Sequence, residues 1–207
     1  MPAQIVLDGG QTVSTVPNLD RVSIGIIPTT LVGGVSGTRP GTDGAFQISG
    51  VREGEYSVRA LGLPQGYYLK SVRYAGKDVS NQTFRFSGSG SDALELILRQ
   101  GTSQISGVVV DAKSQPVPGA QAILIPEESL RARTELYKTV TTDNSGHFVM
   151  PNVPPGNYKI FSWEAIEANG YYNPDVMKQS EAQGTAIKLE ESLNRTTEVK
   201  WIPAVEN

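Results

Sequence analysis

The sequence predicts an all-β protein made of two tandem antiparallel sandwiches, Ig-like or prealbumin-like, with one short peripheral helix in the second. Three observations predict it. Short runs of alternating apolar and polar residues are separated by turns rich in glycine and proline, 22 and 13 of the 207 residues. A turn, strand, turn, strand signature at residues 142–160 has a shorter copy at residues 42–58. Helical signals are confined to residues 174–183, so the crossover helices that a parallel sheet requires are missing.

The signature is explicit. Asp143-Asn144-Ser145-Gly146 is a turn, because Asx side chains bond their own backbone and Gly takes positive φ. In the strand that follows, Phe148 and Met150 share one face and His147 and Val149 the other. Pro154-Pro155-Gly156-Asn157 reads as a type II turn. The next strand places Tyr158, Ile160 and Ser162 on one face and Lys159, Phe161 and Trp163 on the other. Upstream, Phe46, Val51, Gly54, Tyr56 and Val58 fall at one constant offset from Phe148, Val153, Gly156, Tyr158 and Ile160, and Gly66-Tyr67-Tyr68 anticipates Gly170-Tyr171-Tyr172. This is an internal duplication, and it divides the chain into domains at 1–100 and 101–207.

Taken in order, Ile5-Val6-Leu7, the Asp8-Gly9-Gly10 turn and residues 12–16 read as a hairpin, either the first strand of domain one or the end of a preceding domain. Residues 22–27 form a strand ended by Pro28, and residues 33–41 are a Gly-rich loop. After the first copy of the signature come strands at 67–74, 83–86 and 94–98. Domain two opens with a strand at 105–111, continues at 121–125, and carries a polar stretch at 127–136 with one helical turn. The helix at 174–183 has Asn173 as N-cap, Pro174 at its first position and Gly184 as its stop. Strands at 186–189 and 197–202 close the second sheet.

A net charge of −3 offers no broad basic surface for nucleic acid or an anionic membrane. The absence of cysteine excludes disulfides and thiol catalysis. No apolar run reaches the ~20 residues of a membrane span, so direct membrane insertion is not expected. The N-terminus lacks the charged and apolar regions of a signal peptide, which fits either a cytosolic protein or a mature or trimmed piece; the abrupt opening on Ile5-Val6-Leu7 favours trimming.

Ser106-Gly107-Val108-Val109-Val110-Asp111, Pro116-Val117-Pro118-Gly119-Ala120, Thr142-Asp143, Gly146-His147-Phe148, Val153 and Pro155-Gly156-Asn157-Tyr158 resemble the carboxypeptidase regulatory-like domain family, close to the Cna protein B-type and transthyretin-like sandwiches. Domain one matches from Asp43 onward, with its opening strand divergent. The resemblance implies a non-catalytic module of an exported bacterial envelope or secreted protein: periplasmic, cell-surface or extracellular. Some similar domains carry an internal Lys to Asn or Asp bond helped by a Glu. Here Val108 to Val110 stand where the Lys would be, and Ser162 and Ala60 where the Glu would be, so no such bond is expected.

Other chemistry is sparse. His147 is the one histidine, too few for a catalytic zinc site with three protein ligands or a His-rich iron site, and no catalytic residue, metal or cofactor is predicted. Ser36 and Ser89 lie in Gly-rich loops without a nucleophile elbow. Asp111, Asp143 and Asn144 are explained by turn chemistry better than by calcium. The sequons Asn81-Gln82-Thr83 and Asn194-Arg195-Thr196 read as coincidental. Tyr56 and Tyr158 suit a tyrosine corner. Tyr67, Tyr68, Trp163, Tyr171 and Tyr172 are the candidate binding residues, as an aromatic platform for polysaccharide; packing of Phe161 and Trp163 under the helix is the competing expectation. The leading functional expectation is a spacer, docking or scaffold unit whose partner is another envelope protein; the second is a carbohydrate-binding module using the Gly-Tyr-Tyr loops.

Overall fold

The computed structural model describes residues 1–10, 12–30, 36–88 and 92–204. The chain forms two compact units, Met1–Gln100 and Gly101–Asn207.

The first unit contains β1 (Pro2–Leu7), β2 (Ser23–Pro28), β3 (Ser36–Thr38), β4 (Ala45–Gln47), β5 (Gly54–Leu61), β6 (Tyr67–Tyr74), β7 (Lys77–Asp78), β8 (Phe84–Phe86) and β9 (Leu94–Gln100). One sheet has the order β4-β1-β9-β6-β7 and the other β3-β2-β5-β8. Alternating residues from both sheets meet in one core, including Ile5, Ile24, Ile26, Leu94, Leu96 and Leu98.

The second unit contains β10 (Ser103–Val110), β11 (Gln121–Pro126), β12 (Lys138–Thr141), β13 (His147–Val153), β14 (Gly156–Trp163), α1 (Pro174–Ser180), β15 (Thr185–Leu189) and β16 (Arg195–Ile202). One layer is β12-β11-β14-β15 and the other β13-β10-β16. They are joined where the end of β14 pairs in parallel with β16, Ser162 opposite Trp201 and Trp163 opposite Ile202. The main core holds Ile105, Val109, Leu124, Phe148, Met150, Ile160 and Val199.

The units repeat one topology. β1 pairs antiparallel with β4 and parallel with β9. β10 does the same with β13 and β16. β5 lies between β2 and β8 as β14 lies between β11 and β15. The predicted sandwiches are therefore present, and each also contains a parallel pair that an all-antiparallel reading lacks. The divergent opening strand of domain one is β1, with Ala3 opposite Phe46 where Gly107 stands opposite Phe148.

Several local expectations change. Residues 12–16 do not return as a strand: Val13–Thr15 is a 3-10 turn, and both edges of β1 are taken by β4 and β9. Within the predicted 33–41 loop, Ser36–Thr38 pairs with β2, while residues 33–35 lie outside the described residues, as does Ser89. Gly156 has φ of 155°, too extended for the predicted type II turn, because it already pairs with Leu189. β12 is an additional strand. The polar stretch holds two 3-10 turns, Glu128–Leu130 and Thr134–Leu136. The helix forms over Pro174–Ser180 and tightens to 3-10 at Glu181–Gln183. Asn173 caps it, its side-chain oxygen accepting from the Asp175 N–H at 2.9 Å.

Both tyrosine corners form. The Tyr56 hydroxyl donates to the Arg52 carbonyl at 2.9 Å, and that of Tyr158 to the Pro154 carbonyl at 3.1 Å. The glycine two residues earlier makes room: a Cβ on Gly156 would stand 3.2 Å from the Tyr158 ring, and one on Gly54 3.4 Å from the Tyr56 ring.

Candidate functional site

The candidate site is the outer face of the β11-β14 layer, the side turned away from the main core. Strand alternation places Ile123, Ile125 and Phe161 there, and all three are buried. Residues 164–184 bury them. This segment leaves β14, reverses through Asn169 in the left-handed conformation (φ 63°), makes a 3-10 turn at Gly170–Tyr172 and continues as α1. Met177 points from α1 into the patch and is 1% exposed. Gly184 ends the segment where no side chain fits: a Cβ there would come within 2.6 Å of the Phe161 ring.

Trp163 lies flat on Phe161, ring centroids 4.8 Å apart and planes parallel, and is half-buried beneath the segment. Tyr171 and Tyr172 pack on each other at 4.6 Å and on Tyr137 at 6.3 and 4.7 Å. Of these five rings Tyr172 is the exposed one, at 42%. Burial pushes the Tyr137 phenol up in pKa, and its hydroxyl donates to the Arg131 carbonyl at 3.3 Å. Burial likewise lowers the ammonium pKa of neighbouring Lys138.

Beside the aromatic patch is a charged one. The Glu181 carboxylate accepts from Arg131 at 2.7 Å and pairs with Lys159 at 2.9 Å. Lys159 also donates to the Glu181 carbonyl at 2.7 Å. Partial burial works to raise the Glu181 carboxyl, and the hydrogen bonds from Lys159 and Arg131 outweigh it, leaving its pKa lowered. These side chains line a cavity of about 440 Å³ reaching Glu127, Ile187 and Lys188, and a second of about 540 Å³ lies against Pro174, Asp175 and Lys178. Both have mixed charge, so neither presents the single-sign field that draws one kind of ion.

The predicted aromatic residues do not form equivalent loops. Tyr171 and Tyr172 occupy a 3-10 turn, whereas Tyr67 and Tyr68 begin β6, opposite Gln100 and Arg99. Tyr67 is half-buried against the first core. The Gly-Tyr-Tyr similarity thus maps onto two different structures, because neighbouring residues, not the motif, set its conformation. Tyr137 and Met177 are the members that sequence reasoning missed. Asn173 and Pro174 signalled the helix and strand parity the apolar outer face, and the expected packing of Phe161 and Trp163 under that helix is what forms; Met177, an apolar side chain on the same helix, was the signal left unread.

The remaining candidates serve structure. Asp143 Oδ1 accepts from the Ser145 and His147 N–H groups at 2.8 and 2.9 Å, bonds that lower its carboxyl pKa. Asp111 Oδ1 accepts from the Lys113 and Gln115 N–H groups at 2.8 and 2.9 Å. His147 faces outward. No group of three metal-ligating side chains occurs among the described residues. No helix among them is long and apolar enough to cross a membrane.

The second unit is a small two-layered sandwich with a tyrosine corner. Residues 104–189, within the second unit, match the carboxypeptidase regulatory-like domain model. A search of curated proteins found no match. Among solved structures, the chain is similar to the Bacillus anthracis TIE protein (17% identity, TM-score 0.35), covering 96% of this chain and 33% of that one. It is similar to a streptococcal ancillary pilin (11%, 0.41), covering 96% of this chain and 61% of that one. It is also similar to the minor pilin of Streptococcus agalactiae (14%, 0.39), covering 100% and 97%. The chain thus spans about a third and three fifths of the first two.

Proposed function

We propose that the chain is a non-catalytic tandem-sandwich module of an exported bacterial envelope protein, acting as a spacer, docking or scaffold unit. The observation that carries this reading is the use of its polar side chains. Asp111 and Asp143 close turns, Tyr56 and Tyr158 close corners, and Glu181 ties residues 164–184 to the sheet. The family match over residues 104–189 supports it. The test is fractionation of the native host with surface protease treatment, following an epitope inserted in the parent protein. Recovery outside the cytoplasm is expected; retention in the cytosol would overturn the exported role.

The second reading is a carbohydrate-binding module, favoured by the exposed ring of Tyr172 on the Tyr137-Tyr171 cluster. A stacked ring adds about 0.5–1.5 kcal/mol, so two rings give only weak binding. Affinity electrophoresis through gels of soluble polysaccharides detects that range. Retardation abolished by changing Tyr67, Tyr68, Tyr171 and Tyr172 to Ala is the result this reading expects.

A further inference from the structure

The two units share their strands but not one lateral edge. In the first, β9 is paired on both sides: in parallel by β1, and antiparallel by β6 over Leu94–Gln100. Its counterpart β16 is paired in parallel by β10 over Arg195 to Lys200, and on the other side meets β14 only at Trp201 and Ile202. Among the described residues, no strand pairs with that side of Arg195 to Lys200. The Thr185 hydroxyl reaches the Glu198 carbonyl there at a long 3.5 Å.

The side chains along this edge are correspondingly less covered. Leu94 and Leu98 are fully buried in the first unit, and Phe84 lies under Tyr74 of β6 with ring centroids 4.5 Å apart. Registers taken through β1 and β5 place Thr197, Trp201 and Ile187 at the same positions in the second unit. All three are only half-buried. β16 contains no proline, so each of its residues keeps a backbone N–H; its exposed Arg195, Glu198 and Lys200 disfavour indiscriminate pairing and favour a guest of complementary charge.

We propose that the β16 edge takes an extended segment of a partner protein, added antiparallel as β6 is added to β9. This deepens the docking role proposed above by naming its edge and partner chemistry. Backbone N–H and C=O groups of the guest complete the ladder, and its side chains are read on alternate positions. The first unit shows what suits each position. Arg73 stands opposite Glu95, so a basic residue suits Glu198; Val72 stands opposite Leu96, so an apolar one suits Val199; the aromatic Tyr74 stands opposite Leu94, so an aromatic one suits Thr197 and covers Ile187.

The test uses the full chain, labelled with 15N, and a capped synthetic peptide with the sequence of Tyr67–Tyr74. Saturable shifts of amides in residues 185–187 and 195–200 are expected. Two N-methylated peptides sharpen the outcome, one blocked at each alternate set of N–H groups. The set facing β16 lowers affinity about tenfold or more, as loss of backbone hydrogen bonds should, and the other leaves it unchanged. Glu198→Lys, an exposed substitution, weakens binding several-fold. Absence of saturable shifts, shifts confined to β9, or equal binding of both N-methylated peptides would overturn the proposal. So would dimerisation of the peptide-free chain through the same amides, which would make the occupant a second copy. Fractionation tests export without touching this edge, so the two readings fail separately.

Discussion

Residues 62–83 and 164–184 connect the same two strands of the two units, are of nearly the same length, and fold differently. In the first unit the connection becomes the β6-β7 hairpin and extends the sheet of β9. In the second it becomes two 3-10 turns around α1 and covers the outer face of β14. The faces beneath differ accordingly. Phe161 and Trp163 occupy the positions of Arg59 and Leu61, which are exposed. The first face, with exposed Arg59 and Leu61, stays uncovered and its connection seals the lateral edge; the second, with buried Ile123, Ile125 and Phe161, recruits its connection, and among the described residues that edge has no strand partner.

The substitution that should break this comparison most severely is Phe161→Ala. It removes the ring on which Trp163 stacks and Met177 packs, and should cost about 3–5 kcal/mol, whereas Arg59→Ala on the exposed counterpart should stay within about 0.5 kcal/mol. Denaturant unfolding of the two variants checks the contrast, and equal losses would break it. Gly107→Ala comes next. Its Cβ would stand 2.7 Å from the Phe148 ring, while Ala3 already fills the same position, so it should cost about 1–3 kcal/mol, read as a lower melting temperature. The corners should behave alike: Tyr56→Phe and Tyr158→Phe each lose one hydroxyl bond, for about 0.5–1.5 kcal/mol by thermal unfolding.

The smallest effect concerns pH. Each unit holds one carboxylate between two cations, Asp8 with Lys70 and Arg99, and Glu181 with Arg131 and Lys159. The Lys70 hydrogen bond leads in lowering the Asp8 carboxyl. A depressed folded pKa stabilises above the unfolded value, and that contribution is lost as pH falls through the folded value. For Glu181 the contribution is complete above its ordinary pKa of 4.5 and fades below it. Exposure of these groups to solvent keeps it small. Melting temperatures of the parent and Glu181→Gln across pH 3 to 7 should therefore converge at the acid end (~3) and separate toward neutrality (~7). A constant gap would mean that the ion pairs add nothing.

Much of this was legible in sequence because it rests on contacts between near neighbours. The Asp143 turn, the Asn173 cap, the tyrosine corners and the parity of Phe148 and Met150 each involve a few adjacent residues, and their chemistry is the same in any fold that accepts them. The duplication was legible because both units need the same turn and corner. β3 and β12 were harder to read: β3 is three residues long, and β12 carries little apolar periodicity. For the candidate site, the parity of Phe161 and Trp163 was readable, but Tyr137 and the Arg131-Glu181-Lys159 cluster come from elements far apart in the chain.

By itself, then, the sequence determined two sandwiches, their turns, their corners and the apolar outer face of the second. Only the tertiary structure decided that β1 is the first strand of its unit, that Gly66-Tyr67-Tyr68 and Gly170-Tyr171-Tyr172 take different conformations, and that, among the described residues, no strand pairs with the outer side of Arg195 to Lys200 in β16. The physical reason is range: turns and caps are fixed by local hydrogen bonds, whereas the choice between a hairpin and a helical cover depends on which distant apolar surface remains to be buried.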